Sequence, residues 1–356
     1  MRTSYSFTPP SLTSRLNYRC FQERLLSRRV IRFQPDEVIF ECNKDLRCEC
    51  DHPPAGHQGP WECLLESTHL HDKVAFSRML SLKENHVPSK EKHVPSKEET
   101  TDTQLWRQLV FAYSRTNLTY ESDRMNAFAG IVSLFQSRSL GSQYLAGLWS
   151  HSLWEDMLWS STHVNARGYQ HIISTPQQNA APSWSWMSIP LGYHHITYPK
   201  LPMQQPFLRL LKIHYEPQLQ QLPLGDVETG AYLEVEGQLT SAHQICEYMC
   251  AETEGLQNLE CMPTINVEMD CGRCPRPVLD RKDFLLRMAY LRDTPIAKEV
   301  FMILRLMAKF DHGIVADIPR FTRIGLLTLT LSRGEDHASC LAGLRIEEEY
   351  QRLRLY

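Results

Sequence analysis

Leu233-Glu-Val-Glu-Gly-Gln-Leu239 decides the fold class. Leu233, Val235, Gly237 and Leu239 alternate with Glu234, Glu236 and Gln238. A period of two is that of a strand with one buried and one wet face. The same period returns downstream, where Ile324, Leu326, Thr328 and Thr330 alternate with Leu327, Leu329 and Leu331. Val300 to Leu306 and Phe207 to Ile213 are strand-like as well. No strand–helix–strand rhythm with glycine-rich turns occurs, so residues 181–356 read as an antiparallel sheet or partly closed barrel, not a doubly wound fold.

Working back from that stretch, the apolar period lengthens to that of a helix. Leu105, Leu109 and Ala112 share a face, flanked by Trp106, Val110 and Tyr113, with Asp102 or Thr103 as the expected cap. Met125, Phe128, Ala129, Val132 and Phe135 form a second apolar stripe, capped by Ser122 or Asp123. A third helical piece is expected over Ser152 to Trp159, with Trp149, Leu153 and Met157 on one side. Before these, His86-Val-Pro-Ser-Lys-Glu91 recurs as His93-Val-Pro-Ser-Lys-Glu98, a duplication inside a polar linker at about 83–101 and not a solenoid. Trp61 to Leu82 reads as one further helix. The expected class is therefore α+β, with a helical layer in the N-terminal half (61–180) packed on an antiparallel β-rich C-terminal half (181–356).

The first 60 residues divide in two. Residues 1–20 read as a disordered start. Leu25 to Cys42 reads as a helix end followed by a hairpin: Arg29-Val-Ile-Arg-Phe33 and Val38-Ile-Phe-Glu41 are β-prone, and Gln34-Pro-Asp-Glu37 is turn chemistry. A Cys/His-rich loop follows. Cys42, Cys48, Cys50 and His52, with His57 and Cys63, are the weak candidates for a zinc site, since zinc needs four converging thiolate or imidazole ligands. A Cys-x2-Cys knuckle is absent from this stretch, and Cys271-Gly-Arg-Cys274 has no second knuckle beside it.

Charge and composition exclude several classes. Lys and Arg number 38 against 41 Asp and Glu, a net of −3 that gives no reason for a nucleic-acid surface or a polybasic membrane patch. No uncharged apolar run approaches the roughly 18 residues of a membrane span. The 11 cysteines are unevenly placed over a long chain, unlike a secreted disulfide scaffold, and a cytoplasmic location with reduced thiols is expected. Gly-x-Ser-x-Gly, His-Glu-x-x-His and Gly-x4-Gly-Lys-Ser/Thr are all missing, so no catalytic residue and no cofactor are assigned from motifs.

Three segments taken in order carry a resemblance. They are Cys20-Phe-Gln-Glu-Arg-Leu-Leu-Ser27 with the hairpin after it; Tyr113-Ser-Arg115 through Leu118-Thr-Tyr-Glu-Ser-Asp-Arg124, Ala127-Phe-Ala-Gly-Ile131 and Tyr144-Leu-Ala-Gly-Leu-Trp149; and Ala181-Pro-Ser-Trp-Ser-Trp186. This succession resembles the fungal heterokaryon-incompatibility (HET) domain proteins. The resemblance implies that residues 21–60 hold the closing part of the HET domain, and that most of that domain, which lies upstream in the family, is missing. It implies a non-enzymatic role in allorecognition and programmed cell death signalling through protein partners. The alternative is an NAD-consuming enzyme, because the domain has been likened to Toll/interleukin-receptor-like folds; Gln22 and Glu23 are the motif residues such an activity would draw on. A zinc-stabilised adaptor is the weaker alternative. Trp184 and Trp186 are expected to be structural, on an extended segment where the helical and β-rich halves meet, with an indole buried against the Met125 to Phe135 helix or the Trp149 to Trp159 segment.

Overall fold

The computed structural model describes residues 21–33, 38–44, 46–49, 73, 77, 97–116, 118, 120–137, 142–163, 181–189, 194–200, 202–216, 230–243, 245–247, 264–270, 279–293, 296–307, 318–331 and 350–356. The chain is α+β, and a large, mostly antiparallel sheet dominates its second half.

The N-terminal segment forms helix α1 (Phe21–Leu26) and a small sheet of β1 (Arg29–Phe33), β2 (Val38–Cys42) and β3 (Leu46–Cys48). β1 and β2 pair antiparallel from Arg29↔Cys42 to Phe33↔Val38. β3 pairs antiparallel with β2 from Ile39↔Cys48 to Glu41↔Leu46, so the Cys/His-rich stretch begins as a strand and not as an irregular loop.

Helix α2 runs from Lys97 to Ser114, five residues ahead of the expected caps Asp102 and Thr103. The end of the second repeat copy is thus helical. The Met125 stripe is a single helical turn at Asn126–Phe128 followed by α3 (Ala129–Gln136). Met125, Phe128, Ile131, Val132 and Phe135 are buried. The third piece is short: α4 spans only Leu153–Asp156. Two small hairpins interrupt the helices, β4 (Tyr144–Leu145) with β5 (Leu148–Trp149), and β6 (Ser160–His163) with β7 (His194–Thr197). Short hairpins, which the reading of three helical pieces did not include, thus share the middle of the chain with the helices.

The large sheet comprises β8 (Met203–Pro206), β9 (Arg209–His214), β10 (Tyr232–Ser241), β11 (Thr264–Met269), β12 (Phe284–Asp293), β13 (Ile296–Leu306), β14 (Arg320–Leu331) and β15 (Tyr350–Leu355). Five of these pair in a ring: β10 with β12, β12 with β13, β13 with β14, β14 with β15, and β15 with β10. An odd ring cannot alternate direction throughout, so one contact has to be parallel. It is β14–β15, limited to Arg320↔Arg354 and Phe321↔Leu355. β9 is the last strand beyond β10, and β11 flanks β14.

One apolar cluster joins Trp106, Phe128, Trp149, Trp159, Trp184 and Trp186 to Leu233, Leu286, Met302 and Leu355. A second lies on the other side of the long strands, around Leu285, Phe301, Ile303, Leu327 and Leu329. Strands lined on both sides read as near-continuous apolar runs, which accounts for Leu326 to Leu331. β10 departs from its expected wet face, because Glu234 is 1% exposed and Gln238 8%. Arg352 and Arg354 cover the first, and Arg287 binds the second at 2.8 Å.

Candidate functional site

The segments that carry the family resemblance converge on one place. Its centre is the turn between β4 and β5. Leu145 pairs with Leu148, leaving a two-residue turn at Ala146 (φ 45°) and Gly147 (φ 96°). Positive φ at both positions is the requirement of a tight hairpin turn, and Gly meets it without strain. The turn is buried, so its polar groups need partners. The Gly147 carbonyl accepts the indole N–H of Trp106 at 3.1 Å and that of Trp186 at 2.9 Å. The Ala146 carbonyl accepts the Ser185 hydroxyl, and the Ala146 N–H donates to the Tyr215 hydroxyl at 2.9 Å. Burial pushes the Tyr215 phenol up to about 12.

Ala181-Pro-Ser-Trp-Ser-Trp186 is the strap over this turn, and each of its polar residues has a separate task. Ser185 caps the helical turn Trp186–Ser188 by accepting from the Met187 N–H at 2.9 Å. Ser183 donates to the carbonyl of Tyr356 and accepts the N–H of Arg323 at 2.9 Å, fixing the strap to β14 and the end of β15. The Trp184 carbonyl accepts the Trp159 indole N–H at 3.0 Å. Trp184 and Trp186 are both fully buried. Trp186 meets Phe128 and Tyr113 edge-on, with centroids 6.0 and 6.2 Å apart. The strap is not the extended strand its alternating Ser and Trp pointed to: Ser185 starts a helical turn instead, because its hydroxyl offers the backbone a cap.

The remaining motif residues fasten the same unit. Tyr113 donates to the Arg124 carbonyl at 2.6 Å, and the Arg124 guanidinium donates to the Met187 carbonyl. Tyr113 also stacks on Phe128 at 4.5 Å. Gln22 lies on α1, and its side-chain oxygen accepts the Gly130 N–H at 3.0 Å. α3 has no side-chain cap of its own at Phe128, so Gln22 satisfies one of its unpaired first-turn N–H groups from a distance. Ser122 and Asp123, the expected caps, bond each other at 3.4 Å instead. Glu23 is exposed. Its neighbour Arg24 forms a two-point ion pair with buried Glu41 at 2.7 and 2.6 Å, and the Lys73 ammonium donates to the Arg24 carbonyl at 2.7 Å. Burial alone would raise the Glu41 carboxyl, but the Arg24 hydrogen bonds and charge hold it below its ordinary range.

Arg323, which no sequence signal singled out, couples the unit to the sheet. It donates to Asp270 at 2.8 and 3.2 Å and to the carbonyls of Met157 at 2.6 Å and Trp159 at 2.5 Å, and it lies 3.5 Å from the centre of the Trp159 ring. Arg107 was likewise missed. It binds buried Asp156 at 2.9 Å and Glu155 at 2.8 Å.

Of the metal candidates, only Cys42 and Cys48 lie among the described residues. Cys42 carries a free, half-buried thiol and Cys48 ends β3. Cys50 and His52 lie outside the described residues, as do His57, Cys63 and the Cys271–Cys274 pair. Among the described residues no group of three or more His, Cys, Asp or Glu is placed to hold a metal ion. No helix among them is long and apolar enough to cross a membrane. Chemically, the arrangement is a clasp: the indoles of Trp106, Trp159 and Trp186 and the Ser185 hydroxyl donate to backbone carbonyls, while the indole N–H groups of Trp149 and Trp184 are buried without a hydrogen-bond partner among the described residues.

Searches for similar proteins return nothing: no protein-family model, no curated protein and no solved structure matches the chain.

Proposed function

We propose that the chain is a non-enzymatic relative of the fungal heterokaryon-incompatibility proteins, acting in the cytoplasm through protein partners in signalling that ends in cell death. One observation supports this reading. The motif residues that carry the resemblance, from Gln22 to Trp186, hold one another: Gln22 with Gly130, Tyr113 with Arg124, Ser185 with Ala146, and Trp186 with Gly147, while Arg124 binds Met187 just after the last of them. Their order along the chain then has a common physical reason, the fastening of short helices and hairpins to the large sheet, and no reaction has to be invoked to explain them. A scaffold of this kind offers its outer surface to partners.

The test is regulated expression of the full chain in a filamentous fungus, scored by vital-dye uptake and by microscopy of fusing hyphae. The reading expects death or growth arrest with the wild-type chain and normal growth with Trp186→Ala at equal transcript level. Unaltered growth and normal fusion with well-expressed wild-type protein would overturn it.

A further inference from the structure

The face of β9, β10 and β15 opposite the aromatic cluster is ordered in cross-strand rows. Glu234 stands between Lys212 on β9 and Arg354 on β15, and Glu236 between Arg209 and Arg352. Above them, Tyr232 stacks on His214 at 4.9 Å and on Tyr356 at 5.2 Å. Each charged row thus reads cation, carboxylate, cation. The carboxylates are unequally shared. Glu234 is taken by both β15 arginines, with Arg354 at 2.9 Å and Arg352 at 2.7 Å. Lys212 is exposed and makes no hydrogen bond or ion pair among the described residues, while Arg209, with a side chain 77% exposed, reaches Glu236 only at 3.6 Å. β9 ends its sheet, and no strand among the described residues pairs with its outer edge.

We propose that the outer edge of β9 receives an extended acidic segment of a partner protein, added as a further strand. An open edge supplies main-chain hydrogen bonds, and alternate side chains supply selectivity. The pairing of β9 with β10 skips Leu211, so Arg209 and Lys212, three residues apart, stand on one face; carboxylates on the matching face of the incoming strand continue each row, one beside Arg209 and one beside Lys212. A second copy of this chain fits badly, because two β9 strands would bring these cations against each other. The proposal is independent of the incompatibility reading; either can fail alone.

The test uses the full chain and a fluorescent peptide of about eight residues alternating glutamate and valine, near the length of a strand, with the lysine–valine peptide as control. The Glu–Val peptide should bind, weaken with added salt, and slow hydrogen exchange of the amides of residues 209–214. Arg209→Glu/Lys212→Glu, changed at exposed positions and checked by an unaltered melt, should bind it at least about tenfold more weakly and gain affinity for the Lys–Val peptide. Lys212→Glu alone should show a smaller loss. No binding of the Glu–Val peptide, equal binding of both peptides, protection away from β9, or stronger binding of a dT12 oligonucleotide than of the peptide would each overturn the proposal.

Discussion

The indoles of Trp106 and Trp186 donate to a single acceptor, the carbonyl oxygen of Gly147, at 3.1 and 2.9 Å. One lies on α2 and the other on the Ala181–Trp186 strap, so two distant parts of the chain are registered on one turn. A carbonyl has two lone pairs, and both are used here where water has no access.

That turn has little tolerance for a side chain. At Gly147 an added Cβ would stand 2.7 Å from the Trp186 ring nitrogen, and φ is already 96°. Gly230 has a similar φ, 102°, with nothing within 4 Å. Gly147→Ala should cost about 3 kcal/mol or more, combining strain and lost packing, against about 1 kcal/mol for Gly230→Ala. Paired urea melts check this; equal costs would mean that the contact with Trp186 is not made.

Removing the indole itself is more severe. Trp186→Ala should destabilise by about 3–5 kcal/mol, and Trp186→Phe, which keeps a ring but leaves the Gly147 carbonyl with one donor fewer, by a smaller amount. A wild-type melting midpoint for Trp186→Ala would contradict the clasp.

Arg323 should behave as an anchor. Arg323→Met leaves Asp270 and the carbonyls of Met157 and Trp159 without their donor, at a cost of about 3–5 kcal/mol. Asp270→Asn added to it should recover part of that loss in a double-mutant cycle, because it removes the stranded charge.

Much of this was legible in the sequence. The pairing of 29–33 with 38–42 follows from two β-prone runs, and the strands of the large sheet from their period of two. What periodicity could not supply were the pairings between remote residues. Glu234 alternates as a solvent-facing residue should, yet it is buried, because two arginines more than a hundred positions later cover it. Alternating Ser and Trp at 183–186 mimics a strand, but Ser185 finds a nearer use as a cap. Gln22 and Glu23 are adjacent in a motif and part company in space, one capping α3 and the other facing solvent. Arg323 looks like one more polar residue in a strand until the carbonyls it meets are known.

Glu234 also sets a pH dependence. Burial raises its carboxyl, but the hydrogen bonds from Arg352 and Arg354 prevail and hold it below the ordinary 4.5. A carboxylate depressed in the folded chain contributes stability above its unfolded pKa and loses it as pH falls through the folded one. The margin of the wild-type chain over Glu234→Gln should therefore be full near neutrality and shrink in acid below about pH 4.5. Melts across pH 3–7 test this; a margin that grows on acidification would refute it.

The non-enzymatic reading makes its own statement about NAD. Purified chain should release nicotinamide no faster than buffer. Release that is abolished by Gln22→Ala or Glu23→Ala would assign those residues a chemical role that their contacts with Gly130 and solvent do not explain.

Native-state hydrogen exchange tests the clasp most directly. The amides of Gly130, Ala146 and Met187 each donate to a side chain, respectively Gln22 at 3.0 Å, Tyr215 at 2.9 Å and Ser185 at 2.9 Å. If these segments form one cooperative unit, the three amides exchange only through a common opening, with free energies agreeing within about 1 kcal/mol, and Trp186→Ala lowers all three together. Independent exchange, with Trp186→Ala speeding Met187 and leaving Gly130 protected as before, would contradict the account.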